Sequence, residues 1–221
     1  MLDSQFRKQA QGFADELSNL LNRTVCRGIR LNSVRDRSRN VVWVGYRITE
    51  TQLTSVEALE LTTGKRSGIF CGLSLQLGLD EEGEYLMVQS SFMGLFRDGE
   101  MTETLCHFDY ERDKQDGYPE AHMQIEATSK VWEDVLRRSG AAGEQNRTLA
   151  KLHLPVGGRR FRPTLEDVIE FVASERLVEP LPGWEAVVGE SRAKFQEKQL
   201  RAAIRRNPDA ARQAMQDLGL I

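Results

Sequence analysis

A chain of 221 residues with 40% apolar content can bury a core without disulfides or a structural metal, and its net charge of −3 carries no polyanion-binding signature. Its three cysteines, Cys26, Cys71 and Cys106, are far apart, odd in number and without a C-x-x-C pair, which argues against a disulfide framework and fits a reducing cytoplasm. The N-terminus is charged and amphipathic, and the longest apolar run, residues 69–79, is broken by Gly72, Ser74, Gln76 and Gly78, so neither export nor membrane insertion is expected.

From residue 4 to 22, Phe6, Ala10, Phe13, Ala14, Leu17, Leu20 and Leu21 fall on one stripe of a core-facing helix. A basic segment with Arg27, Arg30, Arg35, Arg37 and Arg39 follows and reads as solvated surface. The period then changes to alternation. Residues 41–44 are apolar on both faces, 56–61 form a weaker strand candidate, and in 69–79 the odd positions are all apolar with Ser74 and Gln76 opposite. Turns at residues 80–83 and 98–99 join consecutive strands, which implies an antiparallel meander.

Two further strands are expected at residues 103–111 and 121–127. Cys106, Phe108 and Tyr110 share one face of the first and His107 and Asp109 the other; in the second, Met123 and Ile125 oppose His122 and Gln124. Directly opposed residues share a face, so burying both apolar sets pairs Phe108 with Met123, Asp109 with His122 and His107 with Gln124. A short helix around residues 131–136 and a glycine loop at 140–143 lead onward.

Residues 148–175 combine a strand carrying Leu152 and Leu154, a Gly157-Gly158 turn and a helix capped by Thr164, with Asp167 as its reciprocal partner. That helix is expected to bury Leu165, Val168, Ile169 and Val172 and to show Glu166, Asp167 and Glu170 to water. Arg159, Arg160 and Arg162 beside a helix start make an anion-binding candidate. Glu166 and Asp167 account for the same arginines by pairing, without any ligand. Pro180 and Pro182 mark a boundary, giving an α+β domain over residues 1–179 and a helical appendage over 180–221, whose last helix has Pro208 at its first position.

The chain's three histidines all fall on polar strand faces, His107 with Asp109, His122 with Gln124 and His153 with Lys151. If those strands are neighbours, His107, Asp109 and His122 form an acid/base or metal site, for zinc or manganese. No G-x-S-x-G, H-E-x-x-H, EF-hand loop or dinucleotide fingerprint is present, and no cofactor is specified.

DGYPEAH at residues 116–122, LHLPVGGRRFRPTLEDVIEFV at 152–172 and QLRAAIRRNPDAARQAMQDLGL at 199–220 together resemble an uncharacterised actinobacterial protein family. The resemblance covers the C-terminal half, implies a bacterial cytoplasmic setting and supplies no catalytic residues. AHMQIEA also resembles the alternating histidines of histidine-triad hydrolases, but Gln124 and Glu126 replace two of them, including the nucleophile.

The expected fold is α+β: an N-terminal helix, a largely antiparallel sheet of about six to eight strands, a helix on the sheet and a C-terminal helical hairpin. Two functions are expected. One is a cytoplasmic binding or interaction protein with a protein partner or phosphate-bearing ligand; the other is a metal- or phosphate-dependent hydrolase on the sheet. The charge balance argues against a nucleic-acid partner.

Overall fold

The computed structural model describes residues 2–62, 68–138, 148–157 and 162–221, so the expected glycine loop at 140–143 lies outside the described residues. Helix α1 (Leu2–Thr24) is followed by strands β1 (Leu31–Asp36), β2 (Val41–Tyr46), β3 (Leu59–Glu60), β4 (Phe70–Leu79), β5 (Leu86–Phe96), β6 (Thr104–Glu111) and β7 (Ala121–Ile125). Helix α2 (Lys130–Arg138) precedes β8 (Leu154–Pro155), and α3 (Leu165–Ser174), α4 (Trp184–Arg206) and α5 (Pro208–Asp217) complete the chain. The eight strands form one sheet in the order β1-β2-β4-β5-β6-β7-β8, with β3 paired to β4, and every pairing is antiparallel. This is the α+β architecture that the change from helical to alternating periodicity predicts.

One face of the sheet is closed by α1. Phe6, Ala10, Ala14, Leu17, Leu20 and Leu21 are buried and join Val42, Val44, Cys71, Leu73, Leu75, Leu77, Met93 and Leu95 in a single core. Helix and sheet are also tied by polar contacts: the Leu31 N–H donates to Ser18 Oγ at 2.9 Å, and the Ile29 N–H donates to Asn22 Oδ1 at 2.8 Å. These bonds satisfy backbone groups between the end of α1 and β1, where no ladder partner is available.

Two expected strands are shorter than the sequence indicates. The candidate at 56–61 pairs only over Leu59–Glu60. Leu149–Lys151 forms a 3₁₀ turn, so the strand expected around Leu152 reduces to two residues, where Pro155 faces His122 and Leu154 faces Met123.

Helix α3 begins as predicted, with the Thr164 N–H donating to Asp167 Oδ2 at 2.9 Å. Leu165, Val168, Ile169 and Val172 are buried. Glu166 corrects the sequence reading: it is 6% exposed, and Ser191 Oγ of α4 donates to its Oε1 at 2.6 Å. A partner twenty-five residues away supplies the bond that water was expected to make.

The start of α4 packs on this body through buried Val188 and partly buried Trp184 and Val187. The segment before it is hydrogen-bonded to the end of α1 and to Thr62, with the Leu181 N–H to Thr24 O and the Glu179 N–H to Thr62 O, each at 2.7 Å. Further along, Arg192 pairs with Glu170 at 2.7 Å, Lys198 with Glu16 at 3.2 Å, and the Arg205 guanidinium lies 3.8 Å from the centre of the Tyr85 ring. No described helix is long and apolar enough to cross a membrane.

Candidate functional site

The face of the sheet away from α1 is polar, and its register brings distant residues into three rows. Gly45, Ser74, Phe92, Asp109 and His122 face one another across β2, β4, β5, β6 and β7. On one side of this row lie Trp43, Gln76, Ser90 and Glu111, and on the other Gly72, Gly94, His107 and Gln124. The β6–β7 register is the one that burial of Phe108 and Met123 predicts. A bulge in β5 leaves Gln89 unopposed beside Ser90 and restores the apolar alternation at Val88, opposite Leu77.

A cleft of about 810 Å³ opens over these rows, lined among others by Trp43, Gln76, Phe92, Asp109, His122 and His153. That volume lies within the range of small-molecule sites.

All three histidines gather at one end. His107 Nε2 is 3.4 Å and His122 Nε2 is 3.5 Å from the same oxygen, Asp109 Oδ2. The ring of His153 meets that of His122 edge-on, with centroids 4.5 Å apart, and its other neighbour is Tyr118 at 4.2 Å. Proton positions follow from the partners. His122 Nδ1 is 3.1 Å from Pro119 O, an acceptor, so Nδ1 carries a proton and Nε2 faces the carboxylate. In a neutral ring that Nε2 would point a lone pair at Oδ2; a second proton converts the contact into an attraction. Gln124 Nε2 donates to Ala150 O at 3.1 Å, which turns Gln124 Oε1 toward His107 Nε2 at 3.0 Å and sets the proton of His107 on Nε2.

The loop between β6 and β7 brings a cation to the same end. Lys114 Nζ sits 3.2 Å from both Glu111 Oε2 and Asp116 Oδ2, with its side chain only 16% exposed. Burial opposes its charge, but the bonds to Asp116 and Glu111 outweigh it and hold its pKa above the ordinary lysine value.

His153 is shifted the other way. Burial is the main cause, and the nearby His122 and Lys114 add to it against Asp109 and Asp116, so its pKa lies below the ordinary 6.5. Its imidazole is therefore neutral at pH 7. The unfolded chain then binds more protons than the native one near and below pH 6.5, and native stability falls as pH drops through that value toward the native pKa. Denaturant unfolding of wild type and His153→Gln between pH 8 and pH 5 is expected to show a shallower acid loss in the variant; parallel curves contradict the assignment.

Aromatic rings cover the middle of the open face, and glycines make the room. A Cβ on Gly94 would lie 2.7 Å from Phe92 Cζ and 2.6 Å from Phe96 Cε2, and one on Gly72 would lie 2.6 Å from Met101 Sδ. Phe92 in turn packs on His107, with ring centroids 5.7 Å apart.

Among the described residues, no group of three or more histidine, cysteine or carboxylate side chains is arranged to hold a metal ion. The donors are engaged with one another and with Pro119 and Gln124. Of the arginine candidate, Arg162 is the described member, and it does not line the cleft. Arg159 and Arg160 lie outside the described residues. Arg162 donates to Pro163 O at 3.2 Å and lies 5.7 Å from the centre of the Phe195 ring. Burial pushes its pKa below the ordinary arginine value, against the pull of Glu166, Tyr110 and Asp167.

Sequence reasoning selected His107, Asp109 and His122 but not Lys114, Tyr118, Trp43, Phe92 or Gln76. The alternation that placed the histidines also assigns Gln76 to the open face. Lys114 and Tyr118 sit in an irregular loop where periodicity carries no signal.

The fold and site define an α+β protein with one helix-covered sheet face and one open polar face bearing a histidine–carboxylate cluster. No family model, curated protein or solved structure matches the chain.

Proposed function

We propose that the chain is an acid–base hydrolase working in the cleft on the open face of its sheet. The observation that supports this most is the gathering of all three histidines around Asp109 and His122, with His122 and His153 lining one end of that cleft. His153, neutral at pH 7, accepts the proton of the attacking hydroxyl group. His122, with Nδ1 bonded to Pro119 O and Nε2 against Asp109, protonates the leaving group. Lys114 supplies positive charge where negative charge develops on the substrate. His107, itself held by Gln124, positions Asp109.

The test is turnover of p-nitrophenyl acetate and bis(p-nitrophenyl) phosphate by the purified chain. His153→Gln is expected to lower the rate about 10²–10⁴-fold, the range for loss of a positioned proton acceptor. Absence of turnover with both probes, or a rate that His153→Gln leaves unchanged, contradicts the reading.

A second reading, a non-catalytic binding protein, is supported by exposed apolar side chains on the C-terminal helices and tail, Leu200, Ile204, Leu218 and Leu220. Its partner would be a protein docking there or a phosphate-bearing ligand on the sheet. A bacterial cytoplasmic setting, with membership of the uncharacterised actinobacterial family, belongs to either reading. The buried free thiols of Cys26, Cys71 and Cys106 fit that compartment.

A further inference from the structure

We infer, resting on the hydrolase reading above, that the cleft takes a ribonucleoside phosphodiester, with the phosphate at the histidine end and a base over the Trp43 end. The two ends differ in chemistry. His122, His153 and Lys114 lie at one, while Trp43, Gln76, Gln89 and Ser90 line the other, where Arg112 donates to Gln89 O and Glu111 faces Ser90. From Trp43 on β2 to His122 on β7 the face crosses four strand spacings, about 19 Å, enough for an extended dinucleotide.

The Trp43 end is built for a planar, hydrogen-bonding ring. Gln76 Nε2 donates to Gln89 Oε1 and Ser90 Oγ donates to Gln76 Oε1, each at 3.3 Å, so the amides are held in a chain beside the indole. Stacking on an aromatic face together with amide donors and acceptors is how proteins hold single bases.

The charge balance limits how many phosphates fit. Asp109, Glu111 and Asp113 face Arg112 and Lys114 in the lining, a formal sum of −1 before any imidazole is counted. A polyphosphate is repelled by such a lining far more than a diester, which brings a single negative charge. This also reconciles the ligand with a chain whose net charge is −3, because binding rests on stacking and one phosphate rather than on a basic track.

An acid–base pair suits a ribose diester because the 2′-hydroxyl must lose a proton as the 5′-oxygen gains one. His153 takes the 2′-hydroxyl proton, the 2′-O–P bond forms, the P–O5′ bond breaks and His122 protonates the departing 5′-oxygen. In the second step His122, now neutral, takes a proton from water, the water oxygen bonds to phosphorus, the P–O2′ bond breaks and His153 returns the proton to the 2′-oxygen. One water is consumed overall, both imidazoles are restored and no other reactant is needed.

The experiment incubates the wild-type chain with the sixteen dinucleoside monophosphates, a pooled single-stranded 20-mer RNA of random sequence and the DNA pool of the same design. The two ribose arms distinguish a free dinucleotide from a strand as the source of the same chemistry. Cleavage of either, passing through a 2′,3′-cyclic phosphate, with the DNA intact, is the expected result. Trp43→Ala is expected to raise KM for the cleaved substrate about tenfold or more, the loss of one stacking platform. Hydrolysis of the p-nitrophenyl probes with no cleavage of any ribose diester overturns this inference and leaves the hydrolase reading intact. Inactivity toward all of them overturns both, and cleavage of DNA at the same rate or an unmoved KM in Trp43→Ala overturns the substrate assignment.

Discussion

Asparagine at position 109 is expected to lower kcat about 10²–10⁴-fold toward phenyl acetate, whose leaving group needs a proton, with little change in melting temperature. The size of the effect follows from what the carboxylate does. A single oxygen, Asp109 Oδ2, lies within 3.5 Å of two imidazole nitrogens, at 3.4 Å and 3.5 Å, so its charge faces the proton that His122 Nε2 must carry to act as the acid. The amide keeps the shape and removes the charge, leaving His122 Nε2 beside a neutral group. Stability is spared because the Asp109 side chain is one-third exposed, and ion pairs of that kind contribute about 0–1 kcal/mol. A variant that keeps full turnover contradicts the role given to Asp109; one that fails to fold shows it to be structural instead.

Gly94→Ala is expected to destabilise the chain by about 1–3 kcal/mol, the usual cost of forcing a methyl group into filled space. The new Cβ would sit 2.6 Å from Phe96 Cε2, 2.7 Å from Phe92 Cζ and 2.8 Å from Phe96 Cζ, so two rings must move. Phe92 leans on His107, and displacing it disturbs the histidine cluster as well as the core. Thermal unfolding is expected to shift down by roughly 2–4 °C per kcal/mol in a domain of this size. Gly189→Ala is the control. Nothing lies within 4 Å of its added Cβ, in the middle of α4, so it is expected to leave the melting temperature unchanged or to raise it. Equal melting temperatures for wild type and Gly94→Ala would mean that the rings do not lie against the sheet as described.

How far the site could be read from sequence depends on the range of the interactions that make it. The β6–β7 register was legible because two apolar sets, one containing Phe108 and the other Met123, must share a face, and a period of two then fixes Asp109 opposite His122. The capping of α3 by Thr164 and Asp167 is local and was equally legible. Glu166 was not, because its partner Ser191 belongs to a separate helix whose docking no local pattern reveals. The place of His153 was hidden for a related reason. Its strand shrinks to Leu154–Pro155, and the ring is positioned by Tyr118 and His122 rather than by alternation. Gly72 and Gly94 stand out as glycines inside strands, yet their use as space for Phe92 and Phe96 follows only once the β4–β5 register is known.

The central claim, that the histidines form one proton-handling cluster around Asp109, is tested most directly by nitrogen NMR of the imidazole rings in wild type and Asp109→Asn. The account predicts a proton on Nδ1 of His122, held by Pro119 O, and on Nε2 of His107, held by Gln124 Oε1, with the nitrogen shifts of both rings moved by the substitution. A His122 ring protonated on Nε2 alone, or nitrogen shifts that Asp109→Asn leaves in place, would contradict it.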